Sequence, residues 1–541
     1  MNKSNNRLTD FIPVVDIFAG PGGLGEGFTS FEDGETRPFK IVLSIEKDPT
    51  AYETLKLRSF FRQFKKEDVP DEYYQYLRGE IKRDELFNKY PTEHKKAKQE
   101  TWRLELGSRK ASPQRVDKRV TRALKHSKTW VLIGGPPCQA YSLIGRVRIK
   151  NESKKKRKDF EKDHRHFLYR EYLKIIAVHR PPIFVMENVP GILSSEVNGT
   201  NTFECILRDL KNPHQAISEL NGDSASNIHN EALGYEIYSL VKSADSETEL
   251  KPADYIIKSE SYGIPQARHR VILMGIRSDI MAKPTQLAMV DKETSMWDAI
   301  SDLARIRSRL SKERDSNESW KSVLQSIPKC QWFSDPSMED TLRNELRKAS
   351  EDNSSPAGTG AEFLAGVQTV SFQSEWFQDG RIRGECNHSS RSHIREDLQR
   401  YFFASCFAKV YNRSPKIGDF PKELRPKHEN IQKAVDENLF SDRFRVQIKD
   451  KPSTTITSHI SKDGHYYIHP DPSQCRSLTV REAARLQTFP DNYLFEGPRT
   501  MQYQQVGNAV PPLLARSIAK IVWCLLKHNT VECHTILNGG E

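Results

Sequence analysis

The segment Trp130-Val131-Leu132-Ile133-Gly134-Gly135-Pro136-Pro137-Cys138 runs from four apolar residues through two glycines and two prolines to a cysteine. The apolar residues predict a short buried strand, which the glycines end. The prolines then place Cys138 on a rigid turn beyond the strand, at the edge where open α/β sheets bind their ligands. A thiolate there is a candidate nucleophile. Taken alone, a single cysteine is more often a small core residue, so this interpretation depends on the rest of the chain.

A similar junction lies near the start of the chain. Residues 12–18 predict a buried strand, and the glycine-rich stretch from Ala19 to Phe28 follows it. Strand, glycine-rich turn and helix together let the backbone approach a nucleotide-type cofactor closely. The glycines do not have G-x-G-x-x-G spacing and no Gly-Lys-Ser/Thr follows them, which disfavours a P-loop or a standard dinucleotide site. The alternative is a tight connection without a ligand.

Two further predicted strands end in an acidic side chain. Residues 39–45 lead to Glu46, roughly 20–25 residues past the glycines, where a carboxylate can accept both hydroxyls of a ribose. The alternative for Glu46 is a solvated acid at a strand end. An adenosyl group without phosphates, as in S-adenosylmethionine, fits the glycine turn and Glu46 together. Residues 183–186 lead to Glu187, a candidate general acid because a partly desolvated glutamate holds a proton near neutral pH.

Two arginines precede another apolar strand. Arg268 and Arg270 stand before residues 271–275 and are two positions apart, so on an extended segment both side chains point to one face. Surface arginines are common. Two of them at one sheet edge beside Glu187 would instead organise a polar site.

The bulk composition narrows the class of protein. The 541 residues include 83 Lys and Arg against 72 Asp and Glu, a net charge of +11 that suits a polyanionic partner such as nucleic acid. No two cysteines have C-x-x-C spacing, and no metal site is expected. We expect a cytoplasmic protein with no membrane partner, because the first residues lack an apolar signal core and no apolar run approaches the ~20 residues of a membrane span.

The order of these segments predicts the domain organisation. Residues 1–285 form a first domain with two basic insertions, 53–128 and 146–166. The second insertion is tethered to Cys138 and is a candidate contact to a phosphate backbone. Residues 286–450 lose the alternation of strand and helix and form a smaller domain. Residues 451–541 end in an apolar helix that needs a sheet to cover, so this segment returns to the first domain.

These pieces resemble the DNA (cytosine-5)-methyltransferases of the bacterial Dcm type. The matching blocks occur in the order of that family: Asp16 to Gly23, Glu46, Gly135 to Gln139, Glu187-Asn188-Val189, Gln266 to Arg270, Arg481 to Pro490, and Gln505 to Val510. The resemblance implies an α/β fold. It consists of a Rossmann-like sheet domain dependent on S-adenosylmethionine and a smaller, irregular target recognition domain across a DNA-binding cleft.

The resemblance also implies roles for individual residues. Cys138 would be the nucleophile that adds to C6 of a flipped-out cytosine, Glu187 the partner of the cytosine N3 and amino group, and Arg268 and Arg270 polar support. The S-adenosylmethionine pocket would be lined by Phe18, Ala19, Gly20, Gly22, Gly23, Glu46, Pro137, Leu168, Asn508 and Ala509. The family also has an acid after its third strand that contacts the adenine amino group, and the 53–128 insertion hides its equivalent here.

The implied partner is double-stranded DNA, methylated at C5 of cytosine in one specific sequence. A bacterial restriction-modification or related protection system is the implied setting, with a cognate restriction endonuclease or other defence proteins as candidate partners. Three alternatives stay open. They are methylation of RNA, as in one eukaryotic branch of the family, a catalytically silent DNA-binding regulator, and a nucleotide-dependent oxidoreductase. The glycine spacing speaks against the last, and the joint presence of Cys138, Glu187 and Arg268 against the second.

Overall fold

A computed structural model gives the fold of residues 11–136, 168–194, 196–197, 200–221, 233–243, 249–352, 354–366, 369–426 and 442–527. Pro137, Cys138 and the predicted basic insertion at 146–166 lie outside these described residues, so the structure gives no position for them.

Within the described residues, eight strands form one sheet. They are β1 (Ile12–Ile17), β2 (Phe39–Glu46), β3 (Thr101–Arg103), β4 (Val131–Gly134), β5 (Ile183–Asn188), β8 (Tyr235–Tyr238), β9 (Ile256–Lys258) and β11 (His269–Arg277). Their order in the sheet is β3-β2-β1-β4-β5-β11-β8, with β9 paired to β11. Strands β1 to β5 run parallel, and β11 is antiparallel to its neighbours.

Shorter strands form four two-stranded ladders outside the sheet. They are β6 (Glu196–Val197) with β7 (Thr200–Asn201), β10 (Gln266–Ala267) with β16 (Ser453–Thr454), β12 (Arg309–Leu310) with β15 (Ser392–His393), and β13 (Gly360–Ala365) with β14 (Gly384–Ser389).

The α-helices of the described residues are α1 (Gly23–Ser30), α2 (Pro49–Phe61), α3 (Asp71–Leu77), α4 (Arg83–Lys89), α5 (Pro91–Glu100), α6 (Pro113–Leu124), α7 (Leu168–His179), α8 (Thr202–Lys211), α9 (Pro213–Asn221), α10 (Met296–Ile300), α11 (Asn317–Gln325), α12 (Asp340–Ser350), α13 (Ser374–Phe377), α14 (Arg395–Tyr411), α15 (Val480–Leu486), α16 (Arg499–Asn508) and α17 (Pro512–Lys527).

The central strands are covered on both faces, which explains their unbroken apolar sequences. Every residue of β1 and β4 is buried, and two separate apolar clusters lie on the two sides of the sheet. Because β1 to β5 are parallel, the residues that follow them meet at one edge, as expected from the sequence. This edge carries the glycine turn after β1, Glu46 at the end of β2, and Glu187 in β5.

The last helix covers the sheet beside the first. Helix α17 packs on α1, and a Cβ added to Gly27 would lie 2.4 Å from the Cβ of Ala515. Helices α16 and α17 lie within Arg499–Lys527, a segment that contains an 18-residue stretch long and apolar enough, by length and composition alone, to cross a membrane, with a mean hydropathy of 1.5. Of that stretch, 61% is buried inside the protein, as expected for a helix of the core.

Residues 53–128 are mostly helical, but the expectation that this whole range is an insertion is wrong. It contains β3, which extends the main sheet by pairing with β2. Helices α2 to α5 form an apolar cluster that includes Ile382 and Cys386 from the second half of the chain. Arg381 also lies 2.7 Å from Asp71 in an ion pair, so this region contacts the predicted smaller domain.

The second half of the chain builds its own apolar cluster around α14. This cluster also contains Ile468 and Cys475, which lie beyond the predicted domain boundary at residue 450. A further cluster joins α10 to α15 and α16.

Candidate active site

The carboxyl edge of the sheet encloses a cavity of about 490 Å³, within the usual size of a small-molecule site. Of the residues proposed from the sequence, eleven line it: Phe18, Ala19, Gly20, Gly23, Glu46, Leu168, Glu187, Arg268, Arg270, Asn508 and Ala509. Gly22 does not line the cavity, and Pro137 and Cys138 lie outside the described residues. Pro136, the last described residue before Pro137, is part of the wall.

The glycine turn after β1 brings backbone close to other segments. Gly20 has a φ of +57°, in the left-handed region that favours glycine. A Cβ at Gly23 would lie 2.2 Å from the carbonyl oxygen of Val510, so only glycine fits against the C-terminal segment. A Cβ at Gly22 would lie 2.8 Å from the Leu55 side chain, away from the cavity wall. We therefore assign Gly22 to packing of the turn.

Glu46 is held in one orientation by backbone N–H groups. Its Oε2 accepts a hydrogen bond from the Gly20 N–H at 2.8 Å, and its Oε1 accepts from Lys47 and Asp48, each at 2.8 Å. Burial raises the pKa of Glu46, and these three backbone hydrogen bonds partly oppose that rise. A fixed carboxylate at the cavity wall can accept hydroxyl groups from a ligand.

An acid that the sequence analysis left unassigned also lines the cavity. Glu105 follows β3, between Leu104 and Leu106, and all three contribute to the wall. The Leu104 N–H donates to the Glu46 carbonyl oxygen at 3.0 Å, which holds this segment beside the end of β2. The sequence signal for Glu105 was the short strand that precedes it. That strand is only three residues long and lies within a strongly charged region, so it was not recognised.

Asp16 is buried in β1 behind the glycine turn. Neither of its carboxylate oxygens has a hydrogen-bond partner among the described residues. Burial raises the pKa of Asp16 to about 8, with Arg62 opposing and Glu46 adding to the shift. The carboxyl group is therefore protonated over much of the neutral range unless a cation approaches it.

Glu187 and the two arginines lie on the opposite side of the same cavity. The Arg270 Nε lies 2.7 Å from the Glu187 Oε1, and both side chains are nearly buried. Strands β5 and β11 pair Glu187 with Ile272, which places Arg270 two residues away on the same face of β11. A Cβ at Gly135 would lie 2.7 Å from the Glu187 Oε2, so the glycine leaves room for this carboxylate.

Arg268 has different partners from Arg270. Its guanidinium donates to the carbonyl oxygens of Ile456 at 2.7 Å and Gly507 at 3.2 Å. Burial, together with the neighbouring Arg270, lowers the pKa of Arg268. Arg268 thus holds the C-terminal segment against the sheet, and the structure pairs only Arg270 with Glu187.

Two buried glutamines complete this attachment of the C-terminal segment. Gln266 donates to the Gln487 Oε1 at 3.0 Å, and Gln487 donates to the carbonyl oxygens of Val506 at 2.7 Å and Ala509 at 3.3 Å. These bonds hold the end of α16, where Asn508 and Ala509 face the cavity. Gln487 lies within the matching block Arg481 to Pro490, but its role in positioning this segment could not be predicted from the sequence.

The family model "C-5 cytosine-specific DNA methylase" matches residues 89–213 and 231–523. This chain belongs to that family. It is 32% identical to the type II methyltransferase M.Bpa9945I of Bacillus paralicheniformis, over 94% of this chain and 98% of that protein. It is 25% identical to the type II methyltransferase M.DdeI of Desulfomicrobium norvegicum, over 96% and 90%. It is 26% identical to the DNA (cytosine-5-)-methyltransferase M.ApeKI of Aeropyrum pernix, over 72% and 80%.

The fold and activity expected from the sequence are confirmed at this level. The chain is a cytosine-5 DNA methyltransferase with a mixed α/β fold around a central sheet. Its family implies S-adenosylmethionine as the methyl donor and DNA as the substrate. The matched segments include the residues after β3 and β4, together with α7, β5, β11 and α16, so the family assignment covers most of the elements that form the cavity.

Proposed function

We propose that this methyltransferase transfers a methyl group to C5 of a flipped-out cytosine in one double-stranded DNA sequence, through a covalent bond between Cys138 and C6. The observation that carries the proposal is the single cavity with Glu46 and the glycine turn on one side and the Glu187–Arg270 pair on the other. A methyl donor and a base can meet in such a cavity. A cytosine inside a stacked duplex cannot reach it, so the base must flip out at a cost of a few kcal/mol.

The cavity suits S-adenosylmethionine as the donor. We assign the ribose hydroxyls to Glu46 and the adenine amino group to Glu105, the acid that follows β3. The rest of that pocket is formed by Phe18, Ala19, Gly20, Gly23, Leu168, Asn508 and Ala509. We also assign Pro137 to it from its place in the sequence motif, although it lies outside the described residues. When bound, the donor supplies an electrophilic methyl group.

Cys138 is the group we assign to covalent catalysis. It lies two residues beyond Pro136, which lines the cavity, and two residues extend at most about 7 Å. Cytosine C5 is too weak a nucleophile to accept the methyl group unaided, and addition of the thiolate to C6 makes C5 enamine-like. Splitting one difficult step into easier ones in this way is the advantage of covalent catalysis.

Glu187 is assigned to protonation of the cytosine N3: its carboxyl group takes up a proton from solvent before the base enters and donates that proton to N3 as the adduct forms. General acid catalysis of this kind contributes typically ~10²–10⁴-fold. Arg270 lies 2.7 Å from this carboxylate and keeps it directed along the cavity wall. Arg268 acts at a distance, through the carbonyl groups of the C-terminal segment that it binds. After methyl transfer, a solvent base removes the C5 proton, and the C5–H electron pair re-forms the C5–C6 double bond and expels the Cys138 thiolate from C6. N3 then returns its proton to Glu187, which completes the cycle.

The first test is bisulfite sequencing of plasmid DNA from bacteria that express the protein, with Cys138→Ala as the matched variant. We expect protected cytosines in one recurring sequence, absent in the variant. Protection that persists in the variant would exclude Cys138 as the nucleophile. If neither protein protects DNA, tritium transfer from labelled S-adenosylmethionine to bulk RNA would support the RNA alternative instead.

The type II names of the relatives favour a role in restriction-modification, inside the bacterial cell. We expect the methylated sequence to coincide with the cutting site of a partner endonuclease. Plasmid DNA modified by this protein should then resist that endonuclease, whereas DNA from cells with the Cys138→Ala variant should be cut.

A further inference from the structure

A second cavity, of about 370 Å³, lies on the other side of α16 from the active site. Its walls come from the β15 region, the segment around residues 461–465 and the start of α16. Its wall includes the basic and hydrogen-bonding side chains of Arg391, His393, Lys462, Arg499 and Thr500. We call this the β15–α16 cavity.

The charges around the β15–α16 cavity are unbalanced toward positive. Among the described residues, Arg391, Lys462 and Arg499 form no ion pair with an acidic side chain. The two acids in the wall already have other partners. Asp397 lies 2.8 Å from Arg400, and Asp463 accepts a hydrogen bond from the His465 N–H at 3.0 Å. Arg391, Lys462 and Arg499 therefore outnumber the one carboxylate of the wall, that of Asp463, with which no Lys or Arg among the described residues pairs.

Two buried nitrogen atoms at the cavity also lack a partner. The His393 Nε2 and the Arg391 Nε have no hydrogen-bond partner among the described residues, and these residues are only 5% and 8% exposed. A buried polar atom left unsatisfied costs about 1–3 kcal/mol. Unpartnered donors in the wall of a cavity therefore point to a ligand that accepts hydrogen bonds.

The Arg391 guanidinium is held rigidly in the cavity floor. Its Nη atoms donate to the carbonyl oxygens of Ile460 and Ser461, and its Cζ lies 4.0 Å from the ring centroid of Tyr503. Arg499 is anchored through the Ser390 carbonyl oxygen at 2.5 Å. A site whose cations are already positioned loses little side-chain entropy when an anion binds.

The same positive surroundings also lower the pKa of His393. Burial, together with His465, Arg391 and Arg499, lowers the pKa of His393 to about 3. His393 is therefore neutral near pH 7 and can still donate one N–H to a ligand.

We propose that the β15–α16 cavity binds a phosphate group, as a backbone phosphodiester of nucleic acid or as a small phosphate-bearing molecule. Phosphate oxygens accept several hydrogen bonds at once, which matches a floor of Arg391 and His393 and a rim of Lys462, Arg499 and Thr500. This site is separate from the cavity assigned to methyl transfer. Arg499, Thr500 and Tyr503 of α16 face it, whereas Met501, Gln504 and Gln505 face the active site.

The test uses the full-length protein with the rim variant Lys462→Gln/Arg499→Gln, which changes residues that are not fully buried. The matched control is Lys283→Gln/Lys292→Gln, which removes two exposed lysines outside both cavities and has the same net charge. Isothermal titration calorimetry with sodium phosphate, at ionic strength fixed with sodium chloride, measures binding. We expect affinity for phosphate to fall at least about tenfold in the rim variant and to stay unchanged in the control.

A second measurement distinguishes the two sources of the phosphate. The affinity for a duplex of arbitrary sequence is measured against sodium chloride concentration for all three proteins. If a DNA phosphate occupies the cavity, the slope of log affinity against log salt falls by about 1 in the rim variant only. In that case duplex DNA also competes with inorganic phosphate. If a small molecule is the ligand, phosphate binds equally with saturating DNA and the slopes match.

The proposal is overturned if phosphate binding and salt slopes are the same in the rim variant and the control. Neither measurement requires methyl transfer, so failure of the proposed activity would not affect this outcome.

Discussion

Arg270 and Glu187 form an ion pair across two antiparallel strands, with the arginine Nε 2.7 Å from the carboxylate Oε1. Strand β11 supplies the arginine and β5 the glutamate, and both side chains reach the cavity at the carboxyl edge of the sheet. The ion pair holds the Glu187 carboxyl group in a nearly buried position beside the Arg270 guanidinium. Its properties can be tested separately from those of the methyl-donor side of the cavity.

Glu187→Gln should lower kcat by about 10²–10⁴-fold, because an amide cannot deliver a proton to the base. The measurement is tritiated methyl transfer to plasmid DNA. Affinity for S-adenosylmethionine should change little, since Glu46 lies on the other side of the cavity. The control is Glu345→Gln, which removes a carboxylate paired with Lys409 in the second half of the chain. Equal activity of the two variants would contradict the role of Glu187.

Gly135→Ala should reduce methyl transfer without abolishing donor binding. The added Cβ would lie 2.7 Å from the Glu187 Oε2, so the carboxylate must move from its place beside Arg270. We expect at least about a tenfold loss of kcat, since small displacements of reacting groups are costly. Gly358→Ala is the matched control, because its Cβ meets nothing within 4 Å. A Gly135→Ala enzyme as active as that control would exclude the steric argument.

Glu46→Gln should weaken binding of S-adenosylmethionine by roughly 10–100-fold, the loss expected for hydrogen bonds to a charged group. The amide also cannot accept the three backbone N–H bonds in the same way. Calorimetric titration of the donor measures the effect. At saturating donor, kcat should recover most of the native value. An unchanged dissociation constant would remove Glu46 from the ribose site.

Asp16 should make the unliganded protein less stable as the pH rises. Its pKa is about 8 in the folded state and near 4 in the unfolded chain. Between these values the folded state holds a proton that the unfolded state has lost. The unfolding free energy therefore falls between about pH 4 and pH 8, by an amount on the order of a few kcal/mol.

Urea unfolding at pH 5 and pH 8 tests this linkage. The drop in unfolding free energy should be smaller in Asp16→Asn, which has no proton to lose. Identical drops in the native protein and the variant would show that Asp16 does not titrate in this range.

The central sheet could be predicted because its strands are covered on both faces. Burial on two sides requires unbroken apolar runs, and β1, β4 and β5 are visible for that reason. The acids at the strand ends followed from the same pattern, since parallel strands end at one edge. Glu46 and Glu187 were found in this way.

The parts that escaped prediction depend on contacts between distant segments. Strand β3 has only three residues, and pairing with β2 fixes it more than its own sequence does. Glu105, which follows β3, was not predicted as a site residue for the same reason. The spacing of Arg268 from Arg270 predicts that both contact Glu187, but Arg268 binds the carbonyl oxygens of residues 456 and 507. Likewise, the space around Gly22 is filled by Leu55 and Tyr493, which no local pattern reveals.

The packing of α17 on α1 has a consequence for how the chain is made. The first helix of the sheet domain is covered by the last, and its Gly27 approaches Ala515 too closely for any larger residue. Chains emerge from the ribosome amino end first. The apolar face of α1 therefore stays uncovered until the residues of α17 have been synthesised. A chain that ends before α17 leaves this part of the core exposed, so chaperones will bind it and proteases will degrade it.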